Sequence, residues 1–410
     1  MLTDVAVEEV WEILHNVTVP LQPESVLLMD SLNRIAAADV AATGDLPSCA
    51  QSAVDGFAVH RNDLNGGSKL LVGEELGSGK IPSYPLNPGK TVKVVTGGVL
   101  PEGTAAVIPE EAAIFKDNCL LVKDEITPGA NVKVQGEDFK KGEIILRRQS
   151  RLTPGALGAL AAFGQETVLV NRCPSVAIIC LGPDIIPHYL MPVAGEIRDS
   201  NGPILESLIL QDGGKVVGLK YLREAPTRDS FKTTIEEMFE KADLVITTGG
   251  TALGEPDHQA LPLLCEMGVN ILFWGIQAKP GSHSGGGLWG SKPVLALSGN
   301  PSACTVGYHL LVSPVLRQMQ GLAFAPETTA ALCVDKYHKN GGIRRFLRGR
   351  MFVEEGVGKV RILPGQKSTM LRSLLNYNSL IDLRAGHPPV EENSMVSVIP
   401  INNTENIFKF

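Results

Sequence analysis

The sequence predicts a multidomain protein of the α/β plus β class. It would combine a doubly wound, largely parallel α/β domain with an elongated N-terminal α+β region and a small C-terminal β domain. The 410 residues exceed the roughly 250–300 that one hydrophobic core organises. Strand-like runs alternate with helical patterns between residues 174 and 321, which is typical of a parallel sheet. Short strand patterns before and after this stretch indicate small β domains.

The N-terminal region begins with a helical pattern and continues as short β-branched runs. Residues 3–16 carry apolar side chains on one broad face, which predicts an amphipathic helix. The strand-like runs between residues 35 and 148 include those around 91–96, 105–109 and 119–122. Pro154 and Gly164 have the positions that begin and end a helix, so residues 152–165 are predicted to be helical.

The central stretch has the clearest pattern. The run SVAIICLG, at residues 175–182, is largely apolar and ends in glycine, as a strand buried on both faces does. The further elements predicted here are helices at 201–210, 228–241 and 258–267, and strands at 215–222, 243–250, 271–277 and 292–299. A last helix follows, with Asn300 as its N-cap, Pro301 in its first turn and an apolar face that reaches Met319.

The composition excludes several classes of function. The formal net charge of −7 argues against a polyanion-binding surface, so no nucleic acid partner is expected. No run of about 18 apolar residues occurs and no basic segment precedes the first apolar stretch, so neither a membrane span nor a signal peptide is predicted. The seven cysteines are scattered without close pairs, which favours reduced thiols and a cytoplasmic protein.

Polar side chains follow the predicted strands at the points where those strands end. In a parallel sheet these ends meet at one edge, where ligands of open α/β sheets bind. The residues concerned are Asp184, Glu224, Gly249, Gly250, Glu255, Asp257, Lys279 and Asn300. Carboxylates beside glycine loops suit a Mg²⁺–phosphate ligand, because Mg²⁺ is bound by one or two carboxylates together with phosphate oxygens. A single loop carboxylate is usually just solvated, so it is the convergence that favours a site.

Two phosphate-binding motifs are excluded by their context. The segment LGPDII after the first central strand lacks the second glycine of the G-x-G-x-x-G pattern. The run GGGLWGSK (285–292) resembles a P-loop, but its serine and lysine stand in the wrong order, and a proline and a predicted strand follow. Neither a dinucleotide fold of that kind nor a P-loop is therefore expected.

Nine segments, in order along nearly the whole chain, carry a family resemblance. They are SAVDGFAV (52–59), VVTGGVLPEG (94–103), QGEDFKKGE (135–143), LTPGALGALAAFG (152–164), GEIRDSN (195–201), ITTGGTALGEPD (246–257), AKPG (278–281), LSGNPSA (297–303) and GQKSTMLRSL (365–374). Together they make the chain resemble the molybdopterin molybdenumtransferases, whose relatives include the gephyrin E domain.

The resemblance implies a reaction and an assembly. The family inserts molybdate between the dithiolene sulfurs of adenylylated molybdopterin and releases AMP, so Mg²⁺ is the expected cofactor and molybdate the co-substrate. It also implies a homodimer in which the N-terminal β region of one subunit closes the site of the other. The four implied domains are an elongated N-terminal domain (1–42 with 139–172), a β-rich domain inserted in it (43–138), the doubly wound molybdopterin-binding domain (173–322) and a β-barrel-like domain (323–410).

The resemblance also assigns roles to individual residues. The catalytic residues would be Asp55, Asp138, Asp257 and Lys279. The substrate-binding residues would be Thr96, Asp184, Glu224, Gly249, Gly250, Ser282, Ser298, Asn300, Arg345, Arg348 and Ser368. Asp184 and Asp257 would hold the metal, while Asp55, Thr96 and Asp138 would reach the partner subunit's site.

Several positions depart from the family pattern. Pro183 stands where the first acid of T-G-D-E-L is usual, and Asp184 replaces its longer glutamate. Ser282 stands where P-G-K-P has a lysine, while Ala252 and Ala105 replace a serine and an acid. Two interpretations stay open: a working molybdenumtransferase with an altered pocket, or a catalytically impaired paralogue. The paralogue would bind a pterin or another phosphorylated ligand as a carrier or scaffold.

Overall fold

The chain forms two compact units. The computed structural model describes residues 1–77, 79–223, 228–251, 260–339 and 341–401. The larger unit comprises Met1–Ser25, Asn33–Ala37 and everything described from Leu169 onward, and the smaller unit comprises Val26–Leu32 and Ala38–Val168. Among the described residues, no helix has the length and apolar character needed to cross a membrane.

The helices and strands of the described residues are numbered in chain order. The helices are α1 (Val7–Val17), α2 (Pro154–Ala162), α3 (Asn201–Gln211), α4 (Arg228–Lys241), α5 (Ala260–Glu266), α6 (Pro301–Gly307) and α7 (Ser313–Met319), with a π-helical turn, Tyr308–Val312, between the last two. The strands of the first half are β1 (Leu2–Val5), β2 (Pro23–Leu27), β3 (Val40–Ala41), β4 (Gln51–Ser52), β5 (Gly56–His60), β6 (Lys69–Leu76), β7 (Lys90–Val94), β8 (Thr104–Pro109), β9 (Ile114–Lys116), β10 (Cys119–Leu121), β11 (Val132–Lys133), β12 (Ile144–Leu146) and β13 (Thr167–Asn171). The remaining strands are β14 (Ser175–Leu181), β15 (Ile185–Ile186), β16 (Ile197–Arg198), β17 (Lys215–Leu222), β18 (Leu244–Thr248), β19 (Asn270–Ile276), β20 (Ala278–Lys279), β21 (Gly285–Trp289), β22 (Lys292–Leu297), β23 (Thr329–Cys333), β24 (Arg344–Glu354), β25 (Val357–Ile362), β26 (Ser379–Leu383) and β27 (Ser394–Pro400).

A seven-stranded sheet forms the centre of the larger unit. Its strand order is β1-β19-β21-β22-β18-β14-β17. Strand β21 runs antiparallel to both of its neighbours, whereas the pairs β1–β19, β14–β17, β14–β18 and β18–β22 are parallel. The predicted largely parallel sheet is confirmed.

Helices cover both faces of this sheet, because its strands are apolar on both sides. Along β14, Val176 and Ile178 pack with α1, α3 and the helical segment from α6 to α7. The alternate residues Ala177 and Ile179 pack with α4 and α5 on the opposite face. This alternation follows from the two-residue period of a strand and explains the uninterrupted apolar run in the sequence. The predicted doubly wound arrangement is confirmed.

The C-terminal part of the larger unit is a small β structure. Its sheet has the order β20-β24-β25-β23-β27-β26, and β24 also pairs with β26. These pairings close the five strands β23 to β27 into a ring. The apolar residues inside include Val360, Ile381 and Val398. The predicted C-terminal β domain is confirmed.

The smaller unit is built around a six-stranded sheet of order β8-β5-β7-β6-β10-β9. Two apolar clusters flank it, one containing Ala58 and Val94 and the other Phe57 and Val59. Helix α2 begins where the sequence predicts, and the hydroxyl of Thr153 accepts a hydrogen bond from Ala156 N at 3.2 Å. The four domain boundaries expected from the resemblance stay a prediction.

One local prediction is wrong and another holds only in part. Residues 3–5 belong to β1 rather than to the first helix, because they pair with β19 in the central sheet. Asn300 occupies the N-cap position of α6 as predicted, but its side chain makes no capping hydrogen bond. One further strand, β21, was not predicted; it begins at Gly285, in the run that the sequence analysis excludes as a P-loop, and lies inside the sheet.

Candidate functional site

The carboxyl ends of four parallel strands lie side by side. In register, Leu181 of β14 pairs with Leu222 of β17, and Cys180 pairs with Thr248 of β18. Thr248 in turn pairs with Leu297 of β22. The segments after these strands therefore meet at one sheet edge, as predicted. Two predicted site residues of this edge, Glu224 and Asp257, lie outside the described residues.

The glycines of this edge are needed for packing. Gly249 has a φ of 92°, and a Cβ there would stand 2.2 Å from the carbonyl oxygen of Leu181. Gly250 also has a positive φ, 63°, a conformation that favours glycine. Asn201, which the sequence analysis did not single out, donates through Nδ2 to Thr248 Oγ1 at 2.9 Å and to Gly299 O at 2.8 Å. The strand ends are thus held together by main-chain contact and one buried amide.

Seven of the predicted site residues line a single cavity of about 640 Å³ in the larger unit. They are Lys279, Ser282, Ser298, Asn300, Arg345, Arg348 and Ser368. Five polar residues that the sequence analysis missed line it as well, namely His283, Tyr337, Lys339, Gln366 and Lys367. The cavity therefore joins the segment after β19, the end of β22 and the β24 region of the C-terminal β structure.

Strand pairing brings two of the cations together. Strand β20 pairs in parallel with β24, so that Lys279 lies in register with Arg345. Two positive side chains at neighbouring register positions repel each other unless an anion lies between them. The Nε of Arg345 is buried and, within the described part of the chain, has no hydrogen-bond partner.

Arg348 is the most buried cation of the cavity, with no exposed surface. Its Nε donates to Ser373 Oγ at 3.1 Å and its Nη2 donates to Gly365 O at 3.1 Å. Among the described residues, its Nη1 has no partner. Burial lowers the pKa of Arg348 to about 10, so the guanidinium is still charged at neutral pH.

The charge of this cavity is strongly one-sided. It is lined by three lysines and two arginines, and none of the described residues around it is an aspartate or glutamate. Buried guanidinium groups without a carboxylate partner are costly unless an anion completes their hydrogen bonds. Arginine and serine donors together suit a tetrahedral oxyanion or a phosphate.

Asp184 is separate from this cavity. It follows β14, is half-buried, and one carboxylate oxygen lies 3.2 Å from the position that a Cβ on Gly182 would take. Within the described ranges, no three His, Cys, Asp or Glu side chains are grouped as ligands of a metal ion. Asp184 is thus the one predicted metal ligand that the structure describes.

In the smaller unit, the structure brings Asp55 and Thr96 together. Asp55 Oδ1 accepts from Thr96 N at 2.6 Å and from Thr96 Oγ1 at 3.0 Å. These two bonds, the main-chain one first, lower the pKa of the exposed Asp55 carboxyl. Only glycine fits at the following position, Gly56, because a Cβ there would lie 2.1 Å from Ile108 O. Asp55 therefore both supports the turn and presents a carboxylate to solvent.

Asp138 lines another cavity of the smaller unit, with a volume of about 460 Å³. Lys133 and Glu137 line it too, and Asp138 N donates to Leu46 O at 3.0 Å. The Asp55–Thr96 pair is not among its lining residues. The structure thus places the three predicted residues of this unit at two positions.

Three family models match successive parts of the chain. Residues 5–164 match the MoeA N-terminal region (domain I and II), and residues 177–318 match a probable molybdopterin binding domain. Residues 330–401 match the MoeA C-terminal region (domain IV). The matches follow one another in the order in which the family has these domains.

Relatives of known name and structure cover nearly the full length. A molybdopterin molybdenumtransferase of Staphylococcus aureus (strain Mu50) is 30% identical over 382 residues, which are 92% of this chain and 90% of the relative. Its Staphylococcus epidermidis counterpart is 29% identical over 405 residues, 97% of this chain and 96% of the relative. A solved molybdopterin biosynthesis MoeA protein of Pyrococcus horikoshii OT3 is 26% identical, with a TM-score of 0.79 over 96% of this chain and 99% of that one. The chain therefore belongs to the molybdopterin molybdenumtransferase family and is a transferase of molybdenum cofactor biosynthesis.

Proposed function

We propose that the chain inserts molybdate into adenylylated molybdopterin and releases AMP. The observation that carries this proposal is the cationic cavity, in which seven of the residues expected from the family come together. Molybdate is a tetrahedral dianion, and the cavity offers positive charge together with arginine donors that have no partner among the residues the structure describes. The positions that depart from the family pattern therefore leave an anion site in place.

The cavity residues have distinct roles in this proposal. Lys279 and Arg345, adjacent in register, hold the oxyanion between them and neutralise its charge. Arg348 donates from the buried side through Nη1, which has no partner among the described residues. Ser298 and Ser368 add neutral donors that complete the hydrogen bonds of the oxyanion without adding charge. Together they keep the molybdate dehydrated and oriented toward the sulfurs that will bind it.

The pterin nucleotide is expected at the adjoining sheet edge. Gly249, Gly250 and Asn300 follow the strand ends there, where parallel sheets bind ligands. Asp184 and Asp257 would hold Mg²⁺, since carboxylate oxygens are ligands that this ion prefers. When bound, Mg²⁺ would draw negative charge from the pyrophosphate that is cleaved.

Asp55, Thr96, Asp138 and Glu224 complete the proposed set. The family resemblance supports a homodimer in which the first three reach the partner subunit's site. The lowered pKa of Asp55 keeps this carboxylate charged, as a group that positions water or metal must be. A cytoplasmic location belongs to the same proposal.

A direct assay tests the proposal. The purified chain is incubated with adenylylated molybdopterin, molybdate and Mg²⁺, and both AMP and active cofactor are measured. We expect Lys279→Ala to lower the rate about 10- to 100-fold, because a charge-assisted contact contributes about 1.5–3 kcal/mol. Lys215→Ala is the matched control, since Lys215 is exposed and begins β17, at the opposite edge of the sheet.

The outcomes separate the two interpretations of the altered pocket. Cofactor formation that depends on Lys279 and not on Lys215 supports the transferase. Binding of the pterin nucleotide without AMP release would replace it with a carrier. Equal effects of the two substitutions would show that the cavity is not the molybdate site.

A further inference from the structure

Two cations of the cavity, Lys339 and Lys367, have no role in the proposal above, and Lys367 is well placed for one. Lys367 lines the cavity together with Ser282 and Lys279. Ser282 brings no charge to the cavity wall, so the positive charge beyond that of Lys279 comes from the C-terminal β structure. We propose that Lys367 is an oxyanion-binding residue that gives the site its affinity for molybdate. This inference rests on the proposed function.

The backbone of Lys367 is fixed relative to the buried arginine. The carbonyl oxygen of Lys367 accepts from Arg348 Nη2 at 3.5 Å and from Met370 N at 3.2 Å. The neighbouring Ser368 O accepts from Ser302 N at 2.9 Å, and Ser302 Oγ donates to Met370 O at 2.6 Å. The turn that carries Lys367 is therefore held to the start of α6 and to Arg348. This fixes the backbone position from which the Lys367 side chain extends at the cavity.

The ammonium group of Lys367 is available to a ligand. In the parts of the chain that the structure describes, no carboxylate forms an ion pair with it, whereas two other lysines of the same β structure have one. Lys336 lies 3.9 Å from Glu391 and Lys359 lies 2.5 Å from Glu354. Lys367 is exposed, so its side chain can reorient toward an anion.

Arg348 and Lys367 complement each other. Arg348 uses Nη2 to hold the carbonyl groups of the turn, while its Nη1 has no partner in the described part of the chain. An anion that accepts from Nη1 therefore lies close to the turn on which Lys367 stands. A planar guanidinium gives directed hydrogen bonds, while a lysine ammonium gives a mobile point charge. The pair thus combines orientation with electrostatic attraction.

Calorimetric titration of the full-length chain with sodium molybdate tests this inference. We expect Lys367→Ala to weaken molybdate binding about 5- to 20-fold, less than for a fully buried contact because the lysine is exposed. The effect should shrink as ionic strength rises from about 0.05 to 0.5 M. The matched control is Lys336→Ala, which removes the same charge from the same β structure outside the cavity.

A second substitution tests whether charge at the cavity is what matters. Ser282→Lys in the Lys367→Ala background places a cation back in the same cavity, and we expect at least half of the lost affinity, on a logarithmic scale, to return. A structural role of Lys367 would not be rescued in this way. Failure of the rescue, with circular dichroism unchanged, would overturn the electrostatic role.

The titrations distinguish failure of this inference from failure of the proposed function. If Lys279→Ala weakens molybdate binding while the affinity of Lys367→Ala stays within twofold of that of the unsubstituted chain, Lys367 does not bind the oxyanion. The cavity would then still be the molybdate site. If Lys336→Ala weakens binding as much as Lys367→Ala, the effect is general surface charge. If the unsubstituted chain does not bind molybdate, both proposals fall.

Discussion

Replacing Arg348 with methionine should separate anion binding from structural support. The side chain is fully buried and has one donor without a partner among the described residues. Burial lowers its pKa to about 10, well below the usual range for arginine. A depression of that size corresponds to about 3 kcal/mol of unfavourable free energy for holding the charge in the protein.

The sign of this free-energy cost of burying the charged Arg348 decides the expected result. Because the folded-state pKa is lowered, the cost is present at neutral pH, where the group is protonated in both states, and is relieved only above about pH 10. Methionine removes this cost but also the hydrogen bonds to Ser373 and Gly365, which contribute in the opposite direction by about 1.5–3 kcal/mol each. The two effects largely offset each other. We expect the unfolding free energy without anion to change by less than about 3 kcal/mol.

Thermal unfolding with and without molybdate measures both roles. A ligand at 100 times its Kd stabilises the native state by about 2.7 kcal/mol, and we expect Arg348→Met to lose most of that gain. Arg350→Met is the control, because Arg350 is exposed on the same strand. A variant that is strongly destabilised without anion, yet gains full stability from molybdate, would refute the assignment of Arg348 to anion binding.

Two further predictions concern the scaffold. Asp382 binds Arg344 through two short hydrogen bonds in a buried pair, so Asp382→Asn should lower the unfolding free energy by about 3–5 kcal/mol. Glu8→Gln at the exposed partner should cost about 1 kcal/mol or less, and equal losses in denaturant unfolding would contradict this reasoning. Gly249→Ala should destabilise by more than Gly268→Ala, since both have a positive φ but only the first would bring a Cβ against main chain. Thermal melts of the two variants would show no difference if φ alone mattered.

Much of the central sheet could be predicted because its local signals are strong. Residues 215–222 and 228–241 have the predicted bounds, since a strand and an amphipathic helix differ in the period of their apolar residues. Pro154 begins α2 as expected. In each case the local sequence pattern agrees with the element that forms. The element could therefore be predicted without knowing which distant residues pack against it.

Other elements depend on distant partners. Residues 3–5 read as part of a helix but belong to β1, which pairs with β19, some 270 residues later. Gly285 and Gly286 belong to a strand because they pair with β19 and β22, and only glycine fits there because the rings of Trp274 and Phe273 occupy the space where a Cβ would stand. Local propensity does not indicate the glycine strand, because glycine disfavours strands on average. The first strand is likewise decided by its distant partner.

The residues of the site also differ in whether the local sequence could indicate them or only the folded structure. Asn201 could have been found from the sequence, since it ends the GEIRDSN segment, but its contacts with Thr248 and Gly299 require the folded sheet. Lys339 has no local signal, and Lys367 stands in the segment GQKSTMLRSL, in which the resemblance gave a role only to Ser368. They reach the cavity only because β24 pairs with β20 and because Ser302 holds the neighbouring turn.

The order of residues was enough to indicate the fold class, most of the central elements and the residue types at the sheet edge. Periodicity, capping and strand-end position are local properties that a chain expresses before it folds. Which charges meet was settled only by tertiary structure. The register of Lys279 with Arg345 and the burial of Arg348 bring like charges together without a carboxylate among the described lining residues. Electrostatic energy depends on distance and on access of water, and both quantities exist only once the chain has folded.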